Sequence, residues 1–117
     1  MNTEFVYFYR DGSNYKSPYQ HWVFSGDITE DQTRRLMSAL PKDNCFVAEQ
    51  VDVPTCYIFE DGRHEYAPDE DHGWHEFHSV GLTRELADDV RTIEEFIKCF
   101  ETVNLQGWKP LDHALET

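Results

Sequence analysis

From Phe5 to Tyr9 every residue is apolar or aromatic, so neither alternating side of the segment is marked as wet. That pattern predicts an interior strand covered on both faces, because a half-exposed strand alternates apolar with polar positions. Asp11-Gly12-Ser13-Asn14 follows as a turn cluster. Gly and Asn tolerate positive φ, while Asp and Ser bond their own backbone. A second strand is expected over His21 to Ser25, with Trp22 and Phe24 on one face and Val23 on the other. A hairpin with a long loop is the simplest link between the two.

The period then changes to that of a helix. Asp27 or Thr29 is placed to cap a helix reaching Leu40, and Thr29 with Gln32 fits a capping box. Glu30 and Asp31 suit the positive end of the dipole. Leu36, Met37 and Leu40 form the expected inward stripe, and Pro41 stops the helix. Cys45 to Val51 reads as a strand, and so does Cys56 to Phe59, closed by the turn signal Asp61-Gly62. After a polar stretch from Arg63 to Asp71, Trp74 to Val80 is another expected strand, and Gly81 to Arg91 reads mostly as loop.

Thr92 opens the most regular helix, with Glu95 completing a capping box. Ile93, Phe96, Ile97, Phe100 and Val103 recur at helical spacing, and Asn104 and Gly107 are suitable terminators. The tail docks through Trp108 and Leu111 or leaves its last eight or so residues frayed. The expected fold is therefore α+β: an antiparallel sheet of about five strands with two helices on one face.

A length of 117 residues suits one domain spanning 1–117. Aromatics are 15% of the chain, so Phe, Tyr and Trp are expected to build the core. Ten Lys and Arg against 23 Asp and Glu give a net charge of −13. Such a surface repels phosphate backbones and argues against nucleic-acid partners; it suits solubility, or a protein partner with a basic face. Cys45, Cys56 and Cys99 are an odd, well-separated set with no disulfide framework. No leader-like N-terminal segment is seen, nor any apolar run near the roughly 20 residues of a membrane span. The cytoplasm, with no membrane partner, is the expected location.

Chemistry is most concentrated in Asp69-Glu70-Asp71-His72-Gly73-Trp74-His75-Glu76-Phe77-His78, with His64 upstream. Imidazoles and carboxylates bind divalent transition metals, so His72, His75 and His78 with Asp71 and Glu76 form a candidate metal set. On a strand, however, His72 and His78 share a face and His75 points the other way. The competing reading is a wet acidic loop entering a strand, and no cofactor is expected on that reading. A His beside a carboxylate also suits general-base work, with Cys45 or Cys56 as nucleophile. Their apolar flanks fit buried packing better than thiolates.

A second cluster comprises Tyr7, Tyr9, Arg10, Asn14, Tyr15, Lys16, Tyr19 and Trp22. Basic residues interleaved with aromatics can bind single-stranded nucleic acid or nucleotides by stacking and phosphate contact; Arg10, Asn14, Lys16 and Trp22, together with Trp74, are the candidate binding residues. Only Arg10 and Lys16 are basic there, and Arg10 is expected to pair with a carboxylate. No Gly-rich phosphate loop and no Gly-x-Ser-x-Gly elbow occurs.

The segment Tyr7-Phe8-Tyr9-Arg10-Asp11-Gly12-Ser13-Asn14-Tyr15-Lys16 resembles the opening of small bacterial proteins of uncharacterised function that carry a Tyr-x-Tyr-Arg-Asp-x-x-Asn-Tyr-Lys segment. Asp71-His72-Gly73-Trp74-His75-Glu76-Phe77 is similar to a later segment in some of them. The resemblance implies a bacterial or mobile-element origin and carries no activity over to this chain. The expected function is an acidic, non-enzymatic protein-binding module, of inhibitor or immunity type toward a basic protein. The alternatives are a metal-binding protein or metal-dependent enzyme, and a homodimer joined through exposed aromatic strand edges.

Overall fold

The computed structural model of the chain describes residues 1–60 and 65–110, the side chain of Lys42 aside. The expected turn at Asp61-Gly62, His64 and the contact of Leu111 therefore lie outside the described residues. β1 (Asn2–Phe8) is central, flanked by β2 (Gln20–Phe24) and β4 (His75–Thr83); β3 (Cys45–Phe46) lies on the far side of β4. All three pairings are antiparallel, in the order β2-β1-β4-β3. The fold is α+β, as the periodicities implied, with α1 (Glu30–Ala39) and α2 (Ile93–Gln106). Among the described residues no helix is long and apolar enough to cross a membrane.

The sheet has four strands where about five were expected. Cys56 to Phe59 is not a strand, and the expected strand from Cys45 to Val51 is cut to two residues, followed by a 3₁₀ turn at Ala48–Val51. Outside β3 both runs are apolar because they are buried without being strands: Val47, Ala48, Val51, Tyr57 and Ile58 are all core residues. Burial selects apolar side chains whatever the backbone does, so a short apolar run does not specify a strand.

Both predicted capping boxes form. The Thr29 hydroxyl accepts from the Gln32 N–H and the Gln32 side chain accepts from the Thr29 N–H, and Thr92 and Glu95 reciprocate in the same way. Along α2 all five predicted apolar positions are buried, and Gly107 ends the helix at φ 110°. Of the stripe expected in α1, Leu36 is buried and Leu40 packs against the core, whereas Met37 turns outward and Ala39 is buried instead. The buried side chains of both helices join Phe5, Tyr7 and Phe24 in one cluster, with Phe24 stacked on Phe96 at 4.2 Å between ring centres. Face-to-face aromatic packing of this kind supplies the area that a chain short of Leu and Ile would otherwise lack.

β4 extends three residues beyond the expected end at Val80, and a register shift explains its side-chain pattern. Val6 pairs with Ser79 but Tyr7 pairs with Phe77, so His78 is an extra residue. Phe77 and Val80 both pack on the core, three positions apart. A regular strand puts those positions on opposite faces; one bulged residue restores the phase.

The two outer edges of the sheet differ. Along β2, the Asp88 carboxylate accepts from the Val23 N–H at 3.0 Å, while the Asp88 and Asp89 N–H groups donate to the Val23 carbonyl at 2.8 and 3.1 Å. The Ile93 N–H donates to the Ser25 carbonyl at 2.8 Å, so residues 88–93 close that edge. Along β4, β3 pairs only at His75 and Glu76.

Candidate binding face

The turn cluster after β1 folds back on itself. Asp11 is buried, and its Oδ1 accepts from the Ser13 and Tyr15 N–H groups, both at 2.9 Å. Asn14 takes positive φ (71°), as the Asx-rich sequence implied, and Arg10 bridges to Lys16. The Ser17 hydroxyl accepts from the Tyr9 N–H at 2.9 Å, so the returning chain is pinned.

This loop docks on a second turn. The Gly12 N–H donates to the Glu70 carbonyl at 2.8 Å, and Ser13 Oγ bonds the Glu70 carboxylate. A Cβ on Gly12 would sit 3.3 Å from the Glu70 backbone, so glycine permits the approach. Beneath the junction, the Tyr9 hydroxyl donates to Asp71 Oδ1 at 2.6 Å and accepts from the His72 N–H at 3.1 Å. Asp71 Oδ2 accepts from the Ala67 N–H at 2.8 Å, which occupies both carboxylate oxygens. Burial, reinforced by the Asp71 carboxylate, holds the Tyr9 phenol well above its ordinary range, so it stays protonated as the donor.

The three histidines of the candidate metal set go to three different environments. His72 precedes β4 and lies outside the strand. Its Nδ1 accepts from the Trp74 N–H at 3.1 Å, so Nε2 carries the hydrogen and donates to the Arg10 carbonyl at 2.7 Å. His75 is fully buried, and its Nε2 accepts from the Cys56 N–H at 2.8 Å. It packs among Tyr7, Tyr9, Phe46 and Tyr57, which corrects the expectation that these imidazoles lie on a wet exterior. His78, the bulge residue, is exposed and stacks on Tyr19 at 4.4 Å. Glu76 meets Arg10 at 3.0 Å. Among the described residues no three His, Cys, Asp or Glu side chains assemble as metal ligands.

Of the candidate binding residues, Arg10, Asn14 and Lys16 come together. The Arg10 guanidinium donates to Asn14 Oδ1 and to Glu76, and both Arg10 and Lys16 lie over the Phe8 ring at 5.3 and 5.7 Å. Trp22 is elsewhere: it packs on the core and donates its indole N–H to Asp89 at 3.0 Å. Trp74 lines a hollow of about 450 Å³ with Pro41, Asp43, Cys45 and His72. Sequence reasoning missed Pro41 and Asp43. The available signal was Pro41-Lys42-Asp43-Asn44, a turn composition whose Asp43 and Asn44 both adopt positive φ.

The thiols are poor nucleophiles. Burial pushes Cys56 up to about 12 against a weaker downward pull from the Ser17 hydroxyl, and burial also raises Cys45 and Cys99. What the face offers chemically is polar and aromatic contact: a hydrogen-bonded hairpin and turn presenting Tyr15, Lys16, Asp69 and Glu70 to solvent beside an open hollow. Compared with known protein families, with curated proteins and with solved structures, the chain matches none of them.

Proposed function

We propose that the chain is a non-catalytic protein-binding module for a partner with a basic surface, acting as an inhibitor or immunity-type protein does. The observation that carries this reading is how the charges are distributed. Arg10, Arg34, Arg35, Arg91 and Lys98 each meet a carboxylate of the same chain. Asp43, Glu65, Asp69 and Glu70 are exposed around the docked hairpin and turn. These five cations are thus engaged internally, and with 23 acids against ten bases the outward field is dominated by acids.

Such a field raises the encounter rate with a basic partner by about 10-fold or more and is screened beyond roughly 8 Å at physiological salt. Tyr15 and Tyr19, 61% and 47% exposed, supply aromatic area of the kind that anchors interface centres. The loop and the turn are already tied together by hydrogen bonds in the unbound chain, which lowers the ordering cost of association. Three unpaired cysteines accord with a reducing cytoplasm.

The test is kinetic. A protein captured from cell extract on the immobilised chain is purified, and its association rate is measured by stopped flow over a salt series. The rate is expected to fall about tenfold or more from low to high salt, and to fall again in an Asp69→Lys/Glu70→Lys variant. An association rate indifferent to both changes would overturn the reading.

A further inference from the structure

The outer edge of β4 is built differently from the rest of the surface. From Phe77 to Thr83 the strand pairs with β1 on one side, and among the described residues no backbone group pairs with it on the other. The outward N–H and C=O groups of alternate residues are therefore a template for another strand. Sheet edges are ordinarily protected by Lys, Pro, inward charges or covering chain. The β2 edge is covered in this way by residues 88–93. Phe77-His78-Ser79-Val80-Gly81-Leu82-Thr83 contains no Lys, Arg, Asp, Glu or Pro, in a chain of net charge −13. Its single irregularity, the His78 bulge, leaves Ser79 to Thr83 as a regular stretch.

We propose that this edge is a self-association site, at which β4 of a second copy pairs antiparallel across a two-fold axis near Gly81. The stretch is self-complementary about that point. Ser79 lies opposite Thr83 of the second copy, and Val80 opposite Leu82; in each pair both side chains lie on the same face of the joined sheet. Apolar pairs and hydroxyl pairs are favourable cross-strand neighbours. Leu82 is 52% exposed and gains cover from the opposing Val80. Gly81 sits at the axis with open space around it, so no side chain obstructs the approach. A copy carrying the same excess of acids is repelled over most of the surface, whereas this edge brings no carboxylate opposite another. The joined sheet has eight strands, and its interface is small, so the dimer is weak and forms at between roughly 10 µM and 1 mM.

Sedimentation equilibrium of the whole chain, with amide hydrogen exchange at low and high concentration, tests the proposal. The expected result is a monomer–dimer equilibrium in which amides within Ser79 to Thr83 become protected as concentration rises. Ser79→Lys and Leu82→Lys, both at exposed positions, are expected to raise the dissociation constant about tenfold or more, although each lowers the net charge that opposes association. Leu86→Lys, at an 87% exposed residue beyond the strand, is expected to change it little. A chain that stays monomeric to about 1 mM overturns the proposal, and so does a dimer with those amides unprotected. Protection that appears only when a different protein is added assigns the edge to that partner and overturns self-pairing, while leaving the acidic-module reading intact.

Discussion

Replacing Asp89 with Asn isolates one charge in the clasp that closes the β2 edge. The Asp89 carboxylate accepts from the Trp22 indole at 3.0 Å, from the Arg91 backbone N–H at 2.8 Å, and from Arg91 Nε and Nη2 at 2.9 Å each. Arg91 also donates to the Val51 and Asp52 carbonyls, and its guanidinium lies 5.5 and 5.4 Å from the Phe24 and Phe96 ring centres. The two side chains are only 9% and 19% exposed. Burial works against the charged form of Asp89, but the hydrogen bonds from Arg91 and Trp22 outweigh it and lower its pKa from 3.8 to about 2. That shift corresponds to about 2 kcal/mol, or about 1.5 kcal/mol after allowing for the part of the pair open to water.

The folded-state value lies below the unfolded one, so this stability is present above about pH 4 and is lost as pH falls toward about 2. At neutral pH Asp89→Asn strands the guanidinium and is expected to cost about 3 kcal/mol in urea unfolding followed by tryptophan fluorescence. The gap between wild type and variant is expected to narrow by about 1 to 1.5 kcal/mol between roughly pH 6 and pH 2.5. The comparison cancels the other carboxylates, which titrate in both proteins. A gap that does not change with pH would refute the reasoning, because the clasp would then act through shape and neutral hydrogen bonding alone.

His75→Ala is expected to destabilise by about 3 kcal/mol in the same assay, since it opens a cavity and strands the Cys56 N–H, whereas His78→Ala on the exposed bulge costs less than about 1 kcal/mol. Alkylation of the native protein at neutral pH is expected to be slow at Cys45, Cys56 and Cys99, all raised by burial, and fast in urea; rapid native labelling of Cys56 would contradict its buried setting.

The elements legible in the sequence were those whose signals are local. The capping boxes Thr29/Gln32 and Thr92/Glu95 are satisfied within four residues, so the local chain decides them. The α2 stripe was legible because Ile93, Phe96, Ile97, Phe100 and Val103 leave one helical face no other reading. The misreadings share a cause. Cys56 to Phe59 and most of Cys45 to Val51 are apolar because they are buried, and burial in irregular chain leaves the same mark as burial in a strand. The candidate site was half visible for the same reason: Arg10, Asn14 and Lys16 belong to one turn, while Trp22 was drawn in by residue type and belongs to the clasp with Asp89.

By itself the sequence determined the α+β class, both helices and their caps, the two-sided burial of β1, and a strongly acidic surface, because each follows from neighbours in the chain or from composition. Tertiary structure alone decided the destinations of the histidines. His72 is held by Arg10 and Trp74, His75 is the acceptor for Cys56 inside the core, and His78 is displaced by a bulge that lets both Phe77 and Val80 reach that core. Each outcome depends on partners or register set by distant chain, which no spacing within residues 72–78 encodes. The same holds for the sheet edges, where residues 88–93 close β2 and, among the described residues, a β3 of two residues leaves β4 beyond Glu76 unpaired.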